Sequence, residues 1–275
     1  MFITQRRLGE VMKDKSIGIF DSGYGGLTVL KELLKIAPNG HYIYLGDNKR
    51  VPYGDKTKED IVNLSKKAVS FLESLNTKAI VIACNTVSTQ ALEEIKEISP
   101  LPIIGIGEAG AQGAVRETEN KKVLVLATKS TIHGRLYENG IADIDRKIEV
   151  KGIACPKLVP IIEAEMDPKE KKSLLIKALK EHKSLAEDFD YDSIVLGCTH
   201  YPYIVGEIKE VFGKDKKIVN PSYEQAVKVQ ELFPEEFERK TGELEFYTSG
   251  NRNDFEKFAK DYLEIENLKI HNFNF

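Results

Sequence analysis

Cysteine, histidine and carboxylate side chains, the groups that move protons at carbon, recur at matching places in this chain. Cys198 and His200, with Thr199 between them, follow the apolar run Ser193-Ile194-Val195-Leu196-Gly197. Cys84, followed by Asn85 and Thr86, closes Ala79-Ile80-Val81-Ile82-Ala83. Two more apolar runs end in polar groups without a cysteine. Ile17-Gly18-Ile19-Phe20 ends in Asp21-Ser22, and Val123-Leu124-Val125-Leu126 ends in Ala127-Thr128. A free thiol has a pKa of about 8.5 and is only a few per cent thiolate near neutrality. To act as a base it needs a neighbouring group that takes or supplies a proton. Asp21 is the candidate neighbour for Cys84. His200, with Glu163 at the end of the apolar stretch Leu158–Ile162, is the candidate for Cys198.

Two thiols with separate proton partners, facing one cleft, suit the inversion of a stereocentre. One takes hydrogen from one face of a carbon while the other returns it to the opposite face. Mirror-image products make the roles swap when the reaction runs backwards, so a site with quasi-twofold symmetry serves both directions. The carbanion needs donors around its carboxylate, and Ser22, Asn85, Thr86, Thr128 and Thr199 stand at the right strand ends. No lysine stands in a recognisable Schiff-base context, so no pyridoxal cofactor is expected.

The elements that must position these residues follow from the same runs. Short apolar stretches bounded by breakers read as strands of a parallel sheet buried on both faces, and ligands bind beyond the carboxyl ends of such strands. Cys84 follows Asp21 by 63 positions and Cys198 follows Ala127 by 71, which suggests two copies of one α/β unit. After Asp21 come Ser22-Gly23-Tyr24-Gly25-Gly26, then Leu27, Leu30, Leu33 and Leu34 at helical spacing up to Pro38. Strand, glycine-rich turn and helix in that order suit an anion. Thr28 in the place of a third glycine and the lack of a Gly-Lys-Ser/Thr exclude the dinucleotide fingerprint and the P-loop. Tyr42–Leu45 reads as the next strand, and the loop Asn48–Asp55 carries Val51-Pro52-Tyr53-Gly54 at a position where binding residues gather.

Periodicity predicts helices over 58–75, 86–98, 168–188, 224–233 and 254–263, and short strands at 103–106, 148–153, 218–219 and 244–247. A turn at Gly107-Glu108-Ala109-Gly110 marks the crossing into the second unit, and Asn220-Pro221 marks the return. The expected fold class is α/β: two pseudo-twofold-related domains with mostly parallel sheets and the site in the cleft between them. Residues 16–109 and 222–275 form the first domain, and residues 110–221 form the second, inserted one.

The totals exclude several function classes. A net charge of −3 over 275 residues, 41% hydrophobic and 30% charged, lacks the basic face a nucleic-acid partner needs. Lysines cluster at 169–172, but Glu170 interrupts them as on a solvated helix face. Three cysteines, at 84, 155 and 198, make no CxxC pair, so neither a disulfide framework nor a metal site is expected and a reducing cytoplasm is the natural setting. Cys155, between Ala154 and Pro156, reads as a buried structural thiol. Residues 1–15 read as a polar extension with no secretory signal behind Arg6-Arg7. No run approaches the roughly 18 apolar residues of a membrane span.

Taken together, Asp21-Ser22-Gly23-x-Gly25-Gly26-Leu27, Val51-Pro52-Tyr53-Gly54, Ala83-Cys84-Asn85-Thr86 and Gly197-Cys198-Thr199-His200-Tyr201-Pro202 stand in an order that resembles the glutamate racemases of the cofactor-independent aspartate/glutamate racemase superfamily. Cys155-Pro156 through Val159-Pro160 to Glu163 fits the same pattern. The resemblance implies that Cys84 takes the α-proton of D-glutamate with help from Asp21. It implies that Cys198 takes that of L-glutamate with help from His200 and Glu163. Asp21-Ser22, Tyr53-Gly54, Asn85-Thr86 and Thr199-His200 would contact the substrate, and Thr128 and Thr131 would lend hydroxyls. It further implies no cofactor, a homodimer, and supply of D-glutamate for peptidoglycan. The chain departs from the commoner pattern at Asn48, Ala109, Ala127 and Gly134. Two rival classes share these residues: a receptor that binds an amino acid without turning it over, and a thiol redox or metal protein in which Cys84 and Cys198 are bridged.

Overall fold

The computed structural model describes residues 15–274. The expected polar extension lies, apart from Lys15, outside the described residues. In chain order the elements are β1 (Ser16–Asp21), α1 (Leu27–Ile36), β2 (Tyr42–Gly46), α2 (Lys58–Ser74), β3 (Thr77–Ile82), α3 (Asn85–Gln90), α4 (Leu92–Lys96), β4 (Ile103–Gly105) and α5 (Ile106–Glu117). Then come β5 (Lys122–Ala127), α6 (Lys129–His133), α7 (Leu136–Ile144), β6 (Glu149–Ala154), α8 (Leu158–Glu163), α9 (Pro168–Lys183), β7 (Ser193–Gly197), α10 (Val205–Phe212) and β8 (Lys217–Val219). The chain ends with α11 (Pro221–Leu232), β9 (Leu244–Thr248), α12 (Arg252–Leu263) and β10 (Lys269–Asn272).

Two sheets result, both parallel throughout: β10-β9-β2-β1-β3-β4 and β6-β5-β7-β8. The order β2-β1-β3-β4 in the first equals β6-β5-β7-β8 in the second, with β9 and β10 added outside β2. The α/β fold class therefore stands, and the repetition is visible strand by strand. Strand order reverses between β1 and β3 and again between β5 and β7. Such reversals open the crevice in which α/β sheets hold ligands. The four strand ends at these two crevices carry Asp21, Cys84, Thr128 and Cys198.

Each central strand is apolar on both faces because helices cover both. In the first sheet Ile80, Ile82 and Cys84 share one core with Phe20 and Leu45, while Val81 and Ala83 pack with Ile17 and Ile19 on the other face. In the second, Ile194, Leu196 and Cys198 share a core with Leu124 and Leu126, while Val195 lies with Val123 and Val125. Each cysteine thus continues the alternation of its strand and ends one apolar face. Several helices start where side-chain caps satisfy free N–H groups, among them Thr57 for α2, Asp167 for α9, Asn220 for α11 and Asn251 for α12.

Two expectations need correcting, and one strand was not foreseen. Gly107-Glu108-Ala109-Gly110 is not a turn but part of α5. Its glycines 107, 110 and 113 lie against Leu136, Tyr137 with Pro221, and Glu224, so they serve close helix packing rather than a bend. The helix expected over 86–98 breaks at Ala91 into α3 and α4. Strand β10, which extends the first sheet beside β9, carries Lys269-Ile270-His271-Asn272, too polar for its pattern to announce a strand.

Candidate active site

Cys84 and Cys198 line the same cavity, a small one of about 30 Å³, room for about two water molecules. Around it stand Ser22, the segment Val51–Gly54, Asn85 and Thr86 from one side, and Thr128, Val159, Thr199 and His200 from the other. The thiols are 5% and 6% exposed. Two larger cavities of about 430 and 360 Å³ lie against α12. Neither contains a cysteine, so the small one is the candidate site.

The two thiols have different surroundings. Ser22 Oγ lies 3.4 Å from Cys84 Sγ. Burial, then the charge of Asp21, push the Cys84 thiol up to about 12, with Ser22 and the Val87 backbone pulling the other way. Asp21 is itself fully buried. Gly23 N–H donates to its Oδ1 (2.9 Å) and the Thr199 hydroxyl to its Oδ2 (3.2 Å). Burial raises its carboxyl above the usual range, while the charge of His200 and these hydrogen bonds draw it back. At neutral pH Cys84 therefore faces the cavity as a thiol.

On the other side Cys198 Sγ lies 3.8 Å from His200 Nδ1, and His200 Nε2 lies 2.8 Å from Glu163 Oε1. Burial alone would strip the imidazole of its proton, but its bonds to Cys198 and Glu163, with their charges, raise it to about 10. Glu163 stands behind His200 rather than in the cavity wall, at the end of α8. Thr131 is also one step back. Thr128 Oγ1 donates to Thr131 Oγ1 (3.0 Å) and lies 3.1 Å from Thr86 Oγ1, so a hydroxyl chain crosses from one sheet's loops to the other's.

Loop geometry explains how the pieces meet. The hydroxyl of Thr28, on α1, reaches the carbonyls of Gly25 (2.8 Å) and Thr199 (3.1 Å) and lies 2.8 Å from Ser222 Oγ. With its one proton directed at carbonyls, it accepts from Ser222, and both loops are held by one group. Gly25 passes so close that an added Cβ would sit 2.6 Å from His200 Nδ1 and closer still to Thr199 Oγ1. Gly25→Ala is therefore expected to displace both side chains and cut turnover about 10²-fold with the fold intact, as misplacing catalytic groups by an ångström does. Far-UV circular dichroism beside a rate assay checks it, and near-normal turnover refutes it.

Tyr53 and Gly54 reach the cavity on a loop pinned by Asp47, which the sequence pattern did not single out. Asp47 is fully buried and accepts from Tyr53 Oη (2.6 Å), Ser249 Oγ (2.5 Å) and Arg50 Nη1 (2.8 Å). A carboxylate directly after strand β2, whose last residue Gly46 pairs with Asp21 one strand over, was the available signal. Asn48 accepts from Thr248 Oγ1 (2.9 Å), tying the same loop to β9. At Gly134 a Cβ would collide with Thr89 Cγ2, so glycine lets the α6–α7 turn close on α3. Val159 in the cavity wall was not foreseen as a site residue. Cys155 is buried, with Sγ bonded to the Ile153 carbonyl (3.5 Å).

Comparison with known proteins shows what the chain is similar to. The sequence model described as Asp/Glu/Hydantoin racemase matches residues 18–222. A protein named glutamate racemase 3, from Caldanaerobacter subterraneus subsp. tengcongensis, is 40% identical over 271 residues, 97% of this chain and 96% of its own. The crystal structure of a glutamate racemase isoform from Bacillus anthracis superposes with a TM-score of 0.89 at 30% identity, covering 95% of this chain and 98% of that one. That of a glutamate racemase from Francisella tularensis in complex with D-glutamate gives 0.85 at 31%, with the same coverage. By sequence along most of its length and by the course of its backbone, the chain belongs to the Asp/Glu/hydantoin racemase family.

Proposed function

We propose that the protein is a glutamate racemase that interconverts L- and D-glutamate without a cofactor, by proton transfer between Cα and two cysteines. The observation that carries this reading is the pair of thiols on one cavity, each at the end of an equivalent strand and each with its own proton partner. The family membership and the D-glutamate held by the Francisella relative support the choice of substrate.

In the proposed reaction, one sulfur acts as thiolate and removes the α-proton, leaving a carbanion conjugated with the carboxylate. The opposite thiol gives its proton to the other face of the same carbon. Thiol and thiolate have then exchanged places. With L-glutamate, Cys198 takes the proton and Cys84, which rests as a thiol, supplies one. With D-glutamate, Cys84 first gives up its thiol proton to Asp21 and then acts as the base, with Cys198 as the acid. Asp21 serves Cys84, and His200 serves Cys198 with Glu163 holding the imidazole. Asp21, Ser22, Tyr53, Gly54, Asn85, Thr86, Thr128, Thr199 and His200 are the proposed substrate contacts, with Thr131 behind Thr128. The matched strand orders support taking 16–109 with 222–275 as one domain and 110–221 as the other. A homodimer, a cytoplasmic location and supply of D-glutamate for peptidoglycan complete the proposal, on the strength of the family resemblance. Among the described residues no helix is long and apolar enough to cross a membrane.

The test is polarimetric. Purified protein with no added cofactor should erase the circular dichroism of either glutamate enantiomer and, in D2O, place deuterium at Cα of both. An unchanged signal from both enantiomers would rule the reading out, and binding without exchange would mark a receptor instead.

A further inference from the structure

Asn85 holds an unexplained arrangement. Its side chain lines the cavity and is 2% exposed, yet Nδ2 meets no hydrogen-bond partner among the described residues. Its Oδ1 does have one, the phenol of Tyr137 at 2.5 Å, which comes from the other sheet's helix α7 and lies 52 positions away in sequence. Tyr137 is fully buried, and Asn85 Oδ1 is its phenol's only partner among the described residues. A phenol buried against one partner must donate, so the amide oxygen faces Tyr137 and the two N–H bonds of Nδ2 are turned away from it. With the amide reversed, the phenol proton and Oδ1 would both lose their bond, a costly arrangement in a buried site.

The ring itself is held from two sides. A Cβ on Gly110, in α5, would come 2.7 Å from Tyr137 Cε1, and a Cβ on Gly197, at the end of β7, would come 3.2 Å from Cε2. Glycine at both positions lets the ring slide in edge to edge, and Gly197 directly precedes Cys198. The phenol is therefore placed by the same strand end that presents a cysteine.

We infer that Tyr137 is a positioning residue for substrate binding: it fixes the amide of Asn85 so that two N–H donors, and not the carbonyl oxygen, meet a carboxylate group of the amino acid. This rests on the glutamate reading for the identity of the ligand. The amide orientation stands on the hydrogen-bond geometry alone. Tyr137 touches no reacting atom and acts through Asn85.

Tyr137→Phe keeps the ring between its glycines and removes only the hydroxyl. It should raise KM about tenfold for both enantiomers, the scale of a misaligned bond to a charged group. Its kcat should stay within threefold, and its melting temperature close to that of the parent. In the Asn85→Ala background the same change should alter kcat/KM less than twofold, since the group it orients is gone. Asn85→Asp supplies an independent check that leaves Tyr137 untouched. It places a second carboxylate where donors are inferred, and should lower kcat/KM at least tenfold below Asn85→Ala. A KM for Tyr137→Phe within twofold of the parent, additive effects in the double variant, or Asn85→Asp outperforming Asn85→Ala would overturn the inference. Parent protein that fails to racemise glutamate defeats the substrate reading instead, and is seen before any variant is made.

Discussion

Cys84→Ser is expected to lower racemisation of glutamate by about 10⁴-fold, and Cys198→Ser by a similar factor. A serine hydroxyl at the same place is far too weak an acid and its alkoxide too rare to replace a thiol acting in both roles, and positioned proton transfer is worth about 10² to 10⁴ for each participant. The informative readout is exchange in D2O. In Cys84→Ser, the Cys198 thiolate still removes the α-proton of L-glutamate, trades it for solvent deuterium and returns it to the same face. L-Glutamate therefore gains deuterium without inverting, and D-glutamate gains almost none. Cys198→Ser should show the mirror pattern. Equal loss of exchange with both enantiomers in each variant, or racemisation within tenfold of the parent, defeats the two-thiol scheme.

The second large effect concerns the partners. Asp21→Asn and His200→Asn are each expected to cut kcat/KM about 10³-fold. The loss must be identical in the two directions. Mirror-image substrates fix the equilibrium constant at one, and the ratio of the two kcat/KM values must equal it. The asymmetry therefore has to be sought in the isotope effect on the α-hydrogen. Asp21→Asn weakens the Cys84 side, so removal of hydrogen from D-glutamate becomes more rate-limiting and its primary deuterium effect rises. The effect with L-glutamate falls. His200→Asn should do the reverse. The same isotope effects in both variants would show that these residues do not serve separate thiols.

A pH profile extends the argument to Glu163. The imidazole of His200 is held up to about 10 against its burial by Cys198 and Glu163. Glu163→Gln removes one of those anchors and leaves burial, which disfavours the charged form. His200 then gives up its proton at lower pH, so the alkaline limb of kcat/KM should move downward. A limb that stays in place would detach Glu163 from the site.

Local sequence carried much of this. Four apolar runs with residues such as Ile80-Val81-Ile82 and Ile194-Val195-Leu196 had only one environment in which both faces could be dry, the middle of a covered parallel sheet. Their ends had to lie on a common rim, so Asp21, Cys84, Thr128 and Cys198 were legible as candidates for one site before any coordinates. The repetition of the unit was legible for the same reason, because strand periodicity is a short-range property. Where the pattern misled, a residue type had two physical uses. Glycines 107, 110 and 113 are turn residues by propensity, yet here they remove bulk so that helices can touch.

By itself, then, the amino-acid order determined that two α/β units exist and that each ends a buried strand in a thiol, and it pointed to proton transfer as the chemistry. Only the tertiary structure decided which groups stand beside each sulfur and which way an amide points. Glu163 reaches His200 across 37 positions, Thr199 reaches Asp21 across 178, and Tyr137 reaches Asn85 across 52. No periodicity encodes such pairs. They depend on how two sheets and their loops close over one cavity, through packing contacts whose direction is set by side chains far away in the chain.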